Sequence, residues 1–129
     1  MLTMLNVLSP IHIAEELDKI TEHWSPRVIG QVNDQYVKVA KVKGELVWHQ
    51  HDHEDELFLV VYGKLVIRLQ DAEDITLEKG EFYIVPKGTM HNPLAEEECG
   101  LVLIESVSTK HTGDVDSPLT KSIEDQLSS

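Results

Sequence analysis

Turn-forming residues cut the middle of this chain at short, roughly even intervals. Asn33-Asp34, Gly44, Gly63-Lys64, Asp71 to Asp74, Lys79-Gly80 and Pro86-Lys87-Gly88 each interrupt an apolar or alternating run. The runs between them are too short for helices and rich in Val, Ile, Leu and aromatic residues, which is the pattern of strands. The expected strands are Val28–Val32, Tyr36–Val42, Leu46–His51, Glu56–Tyr62, Leu65–Gln70, Ile75–Leu77, Phe82–Val85, Leu94–Ala95 and Gly100–Val107. Their short connections favour antiparallel pairing, and no helical pattern is interleaved, which argues against a βαβ layout. About nine short strands of this kind make an all-β sandwich or barrel.

The ends read differently. Residues 9–24 carry Ile13, Leu17, Ile20 and Trp24 at helical spacing, with Ser9 as a cap and Pro10 in the first turn. The tail from Ser108 is polar, with Leu119, Ile123 and Leu127 spaced for one short amphipathic helix. The expected organisation is a lead-in over 1–26, a barrel over 27–107 and a tail over 108–129. The chain's 129 residues fit one domain that can bury a core without a staple. Cys99 is the single cysteine. It is a poor nucleophile, because Glu96-Glu97-Glu98 precede it and nearby negative charge raises a thiol's pKa.

A formal net charge of -12 argues against nucleic acid or an anionic membrane as partner, since both reward Lys and Arg. The start of the chain lacks the basic residues and cleavage site of a signal peptide, and no apolar run reaches the length of a membrane span. A cytoplasmic location is the expectation.

Residues 48–56 read Trp-His-Gln-His-Asp-His-Glu-Asp-Glu, and His91 follows in Pro-Lys-Gly-Thr-Met-His. Side chains alternate along a strand, so His49 and His51 face one side. His51 and His53 share parity too, which leaves a second histidine pair open. Imidazoles on one strand, a carboxylate just beyond in Glu56 and a distant His91 suit a divalent transition metal: Fe, Mn, Ni, Zn, Cu or Co. The Asp52–Asp55 turn accounts for a spacing that would otherwise put Glu56 on the opposite face. Four protein ligands leave one or two positions for water or substrate.

Two segments resemble the paired motifs of the cupin superfamily. Gly44, His49, His51, Glu56 and Gly63 match the first; Gly80, Pro86, Gly88 and His91 match the second. The interval from Gly44 to His49 is one residue shorter than usual. Ala95 stands where an asparagine often follows, with Asn92 directly after His91 instead. The first departure alters a turn and the second a structural position; neither touches the ligands. The resemblance covers roughly residues 36–106. It implies a jelly-roll barrel, favours His49, His51, Glu56 and His91 as the metal ligands, and puts His53 at the rim. It also implies a homodimer. Superfamily members include dioxygenases, isomerases, lyases and non-catalytic binding domains, so fold alone leaves the activity open.

Strand parity proposes further residues around the site. If Glu56 faces inward, so do Phe58 and Val60, giving an apolar wall. Tyr36, Tyr83 and Met90 are candidates for the mouth. Trp48 and Arg68 fall on the outer face. His12, His23 and His111 lie outside the motifs, where surface or capping roles are expected. Leu57, Leu59 and Val61 make the outer side of the same strand apolar, and it too must be covered. The expected function is metal-dependent chemistry on a small organic molecule, with a dioxygenase-like reaction as the leading class. The alternative is a non-catalytic module that binds a small ligand, or a structural metal site.

Overall fold

The computed structural model describes residues 9–127. Seven strands follow a short helix: α1 Ile13–Asp18, β1 Arg27–Val32, β2 Gln35–Glu45, β3 Glu56–Tyr62, β4 Lys64–Leu69, β5 Ile75–Glu78, β6 Phe82–Val85 and β7 His91–Ser106, with α2 Ile123–Leu127 at the end. All pairings are antiparallel. The order β1-β2-β7-β3-β6 forms one path, and β4 joins β7 to β5. The chain is all-β, as its turn spacing predicts.

The core has two parts separated by the sheet. Inside lie Ala40, Val42, Phe58, Val60, Leu65, Ile67, Leu77, Val85, Leu101 and Leu103. Outside, Leu17 and Ile20 from the lead-in pack on Ile29, Val39 and Val102, with Leu59 and Val61 half-buried beside them. The expected outward row of β3 is therefore partly covered by the protein's own N-terminal helix. That burial is the reason a helix of six residues can hold, since so short a helix has little stability of its own.

Several boundaries differ from the sequence reading, each for a physical reason. Helix α1 starts after His12 and ends at Asp18, so neither Ser9 nor Trp24 belongs to it. Trp24 is instead drawn into the barrel. Its backbone N–H donates to Lys41 O at 2.9 Å, its indole Nε1–H donates to Lys43 O at 2.8 Å, and its φ is 59°. Leu46–His51 is extended but is no ladder strand; its one bridge joins His49 to His91. The two last expected strands are one, β7, which runs unbroken through Glu96-Glu97-Glu98. Val42 pairs with Cys99 and Gly44 with Ala95, so these three acids bulge out opposite Lys43 alone, exposed to water. The helix in the tail is real, but its buried residue is Gln126, while Leu127 is exposed.

Candidate metal centre and its cavity

Backbone hydrogen bonds bring the two histidine segments together. His49 N–H donates to His91 O and His91 N–H to His49 O, both at 2.9 Å, and Gly88 N–H donates to His51 O at 2.8 Å. Gly88 has φ +77°, a conformation a side chain disfavours, which fits a glycine in the turn before His91. The Asp52–Asp55 connection is fixed from the other side, because Asp55 Oδ1 accepts from Lys87 N–H at 2.9 Å. Beyond it, Glu56 opens β3 pointing inward, opposite Val85 of β6 and Glu105 of β7.

His49, His51, Glu56 and His91 meet in the barrel, all buried, with their ligand atoms within 4.8 Å of one another. His49 Nδ1–H donates to Val47 O and His91 Nδ1–H to Thr89 O, each at 2.8 Å. An imidazole that gives its Nδ1 proton to a carbonyl presents a bare Nε2 lone pair, the arrangement of a metal-ligating histidine. His51 Nε2 and His91 Nε2 lie 3.3 and 3.5 Å from Glu56 Oε1. These three atoms are buried and, among the described residues, none makes a hydrogen bond of good geometry. Buried polar atoms cost free energy when left unsatisfied. Three such atoms converging on one point, all of them donors a transition metal accepts, fit a bound ion.

The electrostatics agree. Burial and the neighbouring His91 lower the pKa of His49 to about 4, so it stays neutral. Burial also works against charge on His51, but the Glu56 carboxylate outweighs it and the net shift is upward. Burial alone would raise Glu56; His51 and His91 reverse this and keep it ionised. A neutral imidazole and a formed carboxylate are the forms a metal needs.

A cavity of about 30 Å³ adjoins the cluster, bounded by His49, Glu56 and an apolar wall that includes Trp24, Phe58, Leu101 and Leu103. Phe58 also sets its ring edge against His91, with centroids 6.2 Å apart. The other pocket residues proposed from parity lie apart from this cavity wall. Val60 is buried in the core, Tyr83 packs against that core, and Tyr36 lies below the ammonium of Lys38, 5.8 Å away. Met90 borders a shallow outer hollow with Trp48 and Gln70. His53 is exposed beside a separate hollow lined by His51, Asp52 and Glu54. Trp48 does lie outside, stacked under the Arg68 guanidinium at 5.5 Å, and Arg68 turns to Glu45.

Four cavity residues escape a reading of the motifs. Lys38 and Glu105 are 1% and 3% exposed and lie 3.3 Å apart inside the barrel, where burial and the Glu56 carboxylate raise the pKa of Glu105 to about 8. Gln126 reaches in from α2 to Lys38. His111, expected at the surface, instead lines the cavity. Burial lowers its pKa to about 4, and its Nδ1 accepts from Lys121 N–H at 2.9 Å, leaving the proton on Nε2. His12 and His23 do lie at the surface: His12 caps α1 with no side-chain bond, and His23 pairs with Glu98 at 2.8 Å. Lys38 could be found only through Ala40 and Val42, which share its parity and face inward. A lysine in a strand normally marks the wet face.

The chain is similar to known proteins. The chain is 39% identical over 88 residues to the uncharacterized protein YdbB of Bacillus subtilis, a match spanning 68% of this chain and 73% of that one. It is 34% identical over 77 residues to 3-hydroxyanthranilate 3,4-dioxygenase 2 of Aspergillus fumigatus, covering 55% of this chain but only 40% of that enzyme. The crystal structure of a cupin-2 domain containing protein from Shewanella frigidimarina superposes with a TM-score of 0.72 at 46% identity, covering 74% of this chain and 93% of that one. Residues 36–106 match the cupin domain family, and with both motifs in place on a seven-stranded antiparallel fold, the chain belongs to that family.

Proposed function

We propose that the protein is a metalloenzyme that acts on a small organic molecule, with a dioxygenase-like reaction as the leading class. The observation that carries this reading is the convergence of three unpartnered buried donors, with His49 beside them, on the edge of an apolar cavity. His49, His51, Glu56 and His91 would hold one divalent transition metal. When bound, such an ion supplies Lewis acidity and, if it is redox-active, a means of activating dioxygen. The chain's own contribution is positional. Val47 O and Thr89 O fix two imidazole tautomers, and Phe58 and Leu103 keep bulk water from the ligands. The likeness to a 3-hydroxyanthranilate dioxygenase supports an aromatic substrate.

The test is elemental analysis of untagged protein, followed by oxygen uptake with the iron-loaded form across a panel of small phenols and aromatic acids. Iron and substrate-dependent uptake are expected. Zinc, with no uptake on any substrate, would favour the alternative of a non-catalytic ligand-binding or structural site. The small cavity gives that alternative its support. In that case His91→Ala separates the two: a large loss of thermal stability without any loss of ligand affinity would favour the structural site over the ligand-binding one.

The same proposal places the protein in the cytoplasm as a homodimer. Support for a second copy is the apolar outer surface of β6, where Phe82 and Ile84 are exposed.

A further inference from the structure

The cavity is too small for the chemistry proposed for it. A volume of about 30 Å³ holds on the order of two water molecules and no organic substrate. Something in its wall must give way. Most of that wall is ladder strand or core, including Ala40, Val42, Phe58, Leu101 and Leu103. Gln126 is different. It is the one buried residue of α2, a helix of five residues near the end of the chain. Leu127, next to it, is 46% exposed. The amide is thus the one fully buried side chain that α2 sets into the barrel, beside a half-buried Ile123. Its Nε2 donates to Lys121 O at 3.0 Å, which turns Oε1 toward Lys38 Nζ.

Lys38 is what the amide covers. Lys38 is 1% exposed, and its ammonium also meets Glu105 Oε1 at 3.3 Å and the Tyr36 ring at 5.8 Å. Glu105 Oε2 is buried and makes no hydrogen bond among the described residues. A buried ammonium, an unused carboxyl oxygen and a metal cluster therefore share one small chamber with an apolar wall. An ammonium buried in an apolar chamber favours an entering anion over a neutral molecule of the same shape.

We propose that Lys38, with Glu105 beside it, anchors the carboxylate of a small aromatic or otherwise apolar acid, and that the Gln126 amide occupies this anchor until the acid displaces it. The amide oxygen of Gln126 presents to Lys38 the same acceptor that a carboxylate would, without the charge. Release of α2 opens the chamber, and the entering carboxylate takes up the ammonium. The apolar wall of Trp24, Phe58 and Leu101 receives the body of the acid. His111, on the same wall with its proton on Nε2, is a second donor facing the chamber. This inference rests on the reading of the cavity as a substrate chamber, but the anchor needs no metal.

The test is calorimetric titration of benzoate, with benzamide as its uncharged counterpart, into metal-free and zinc-loaded protein. Benzoate is expected to bind at least tenfold tighter than benzamide in both forms. Lys38→Met should remove that preference, and Gln126→Ala should tighten benzoate by threefold or more. Equal binding of the two probes would overturn the proposal. So would full benzoate affinity in Lys38→Met, or weaker or absent benzoate binding in Gln126→Ala. If Lys38→Met does not fold, the Gln126→Ala comparison decides alone. Benzoate binding through Lys38 in a protein that takes up no metal would leave the anchor standing and remove the metalloenzyme. Metal uptake without a benzoate preference would do the reverse.

Discussion

Two backbone carbonyls, those of Val47 and Thr89, decide which nitrogen His49 and His91 offer to the centre of the barrel. Side-chain identity there governs metal affinity directly. Replacing His91 or Glu56 with Ala should lower affinity for zinc by more than about 100-fold, because loss of mere supporting partners already costs 10–100-fold. Competition against a chromophoric chelator measures this. His53→Ala should leave affinity unchanged, since His53 is exposed and outside the cluster. The same assay has a pH dependence with a defined sign. The pKa of His51 is raised by Glu56, so below that value the ion must displace a proton from His51. Affinity should then fall as pH falls, by about tenfold per unit for one displaced proton. His49 adds no slope in that range, because burial and His91 lower its pKa to about 4. A pH-independent affinity between pH 5 and 7 would contradict this assignment. At the same scale, Cys99 is inert: it is buried, and burial raises its pKa to about 12.

Turn glycines set the connections between elements, and two of them separate conformational strain from steric clash. Gly63 has φ +82°, and a Cβ there would lie 2.7 Å from the carbonyl oxygen of Glu98. Gly80 has φ +85° with nothing near a Cβ. Gly80→Ala should cost only the conformational penalty of about 1–2 kcal/mol. Gly63→Ala should cost clearly more, about 3 kcal/mol, since backbone must also shift. Urea unfolding of the two variants makes the comparison. Leu17→Ala, which strips the buried face of α1, should cost about 2–5 kcal/mol. At this scale most of the fold is legible in the sequence, from Arg27 to Val85, because β1, β3, β4 and β5 give way to Asn33, Gly63, Asp71 and Gly80, all at positive φ, and β6 stops at Pro86. The ligand set is legible for the same reason: parity and turns place four side chains on one interior. Leu46–His51 misled because alternation tells which way side chains face, not whether a ladder partner exists. Glu96-Glu97-Glu98 misled because a bulge keeps a strand continuous while releasing three acids to water. Gln126 and Lys38 were hidden because polar residues are read as solvent-facing unless something identifies the interior that receives them.

Across the whole molecule, the outer face of the sheet is unevenly covered. Helix α1 protects Val39 and Val102, while Phe82 and Ile84 on β6 are 58% and 46% exposed. If a second copy covers this surface, sedimentation should show a dimer, and Phe82→Asp together with Ile84→Asp should yield monomers with unchanged metal content. A monomeric parent protein would remove the homodimer. The net charge of -12 does not oppose such a contact at physiological salt, where exposed charges are screened beyond about 8 Å. The tail completes the barrel from the other end: Leu119 packs on the core and Gln126 enters the cavity. The backbone frame around the ligands reaches further than the site it builds. The three main-chain hydrogen bonds joining His49 to His91 and Gly88 to His51 involve no side-chain atom. The scaffold that aims the ligands is therefore independent of what the ligands are. A lineage, or a designer, can exchange an imidazole for a carboxylate or an amide and retune the metal while the frame keeps its shape.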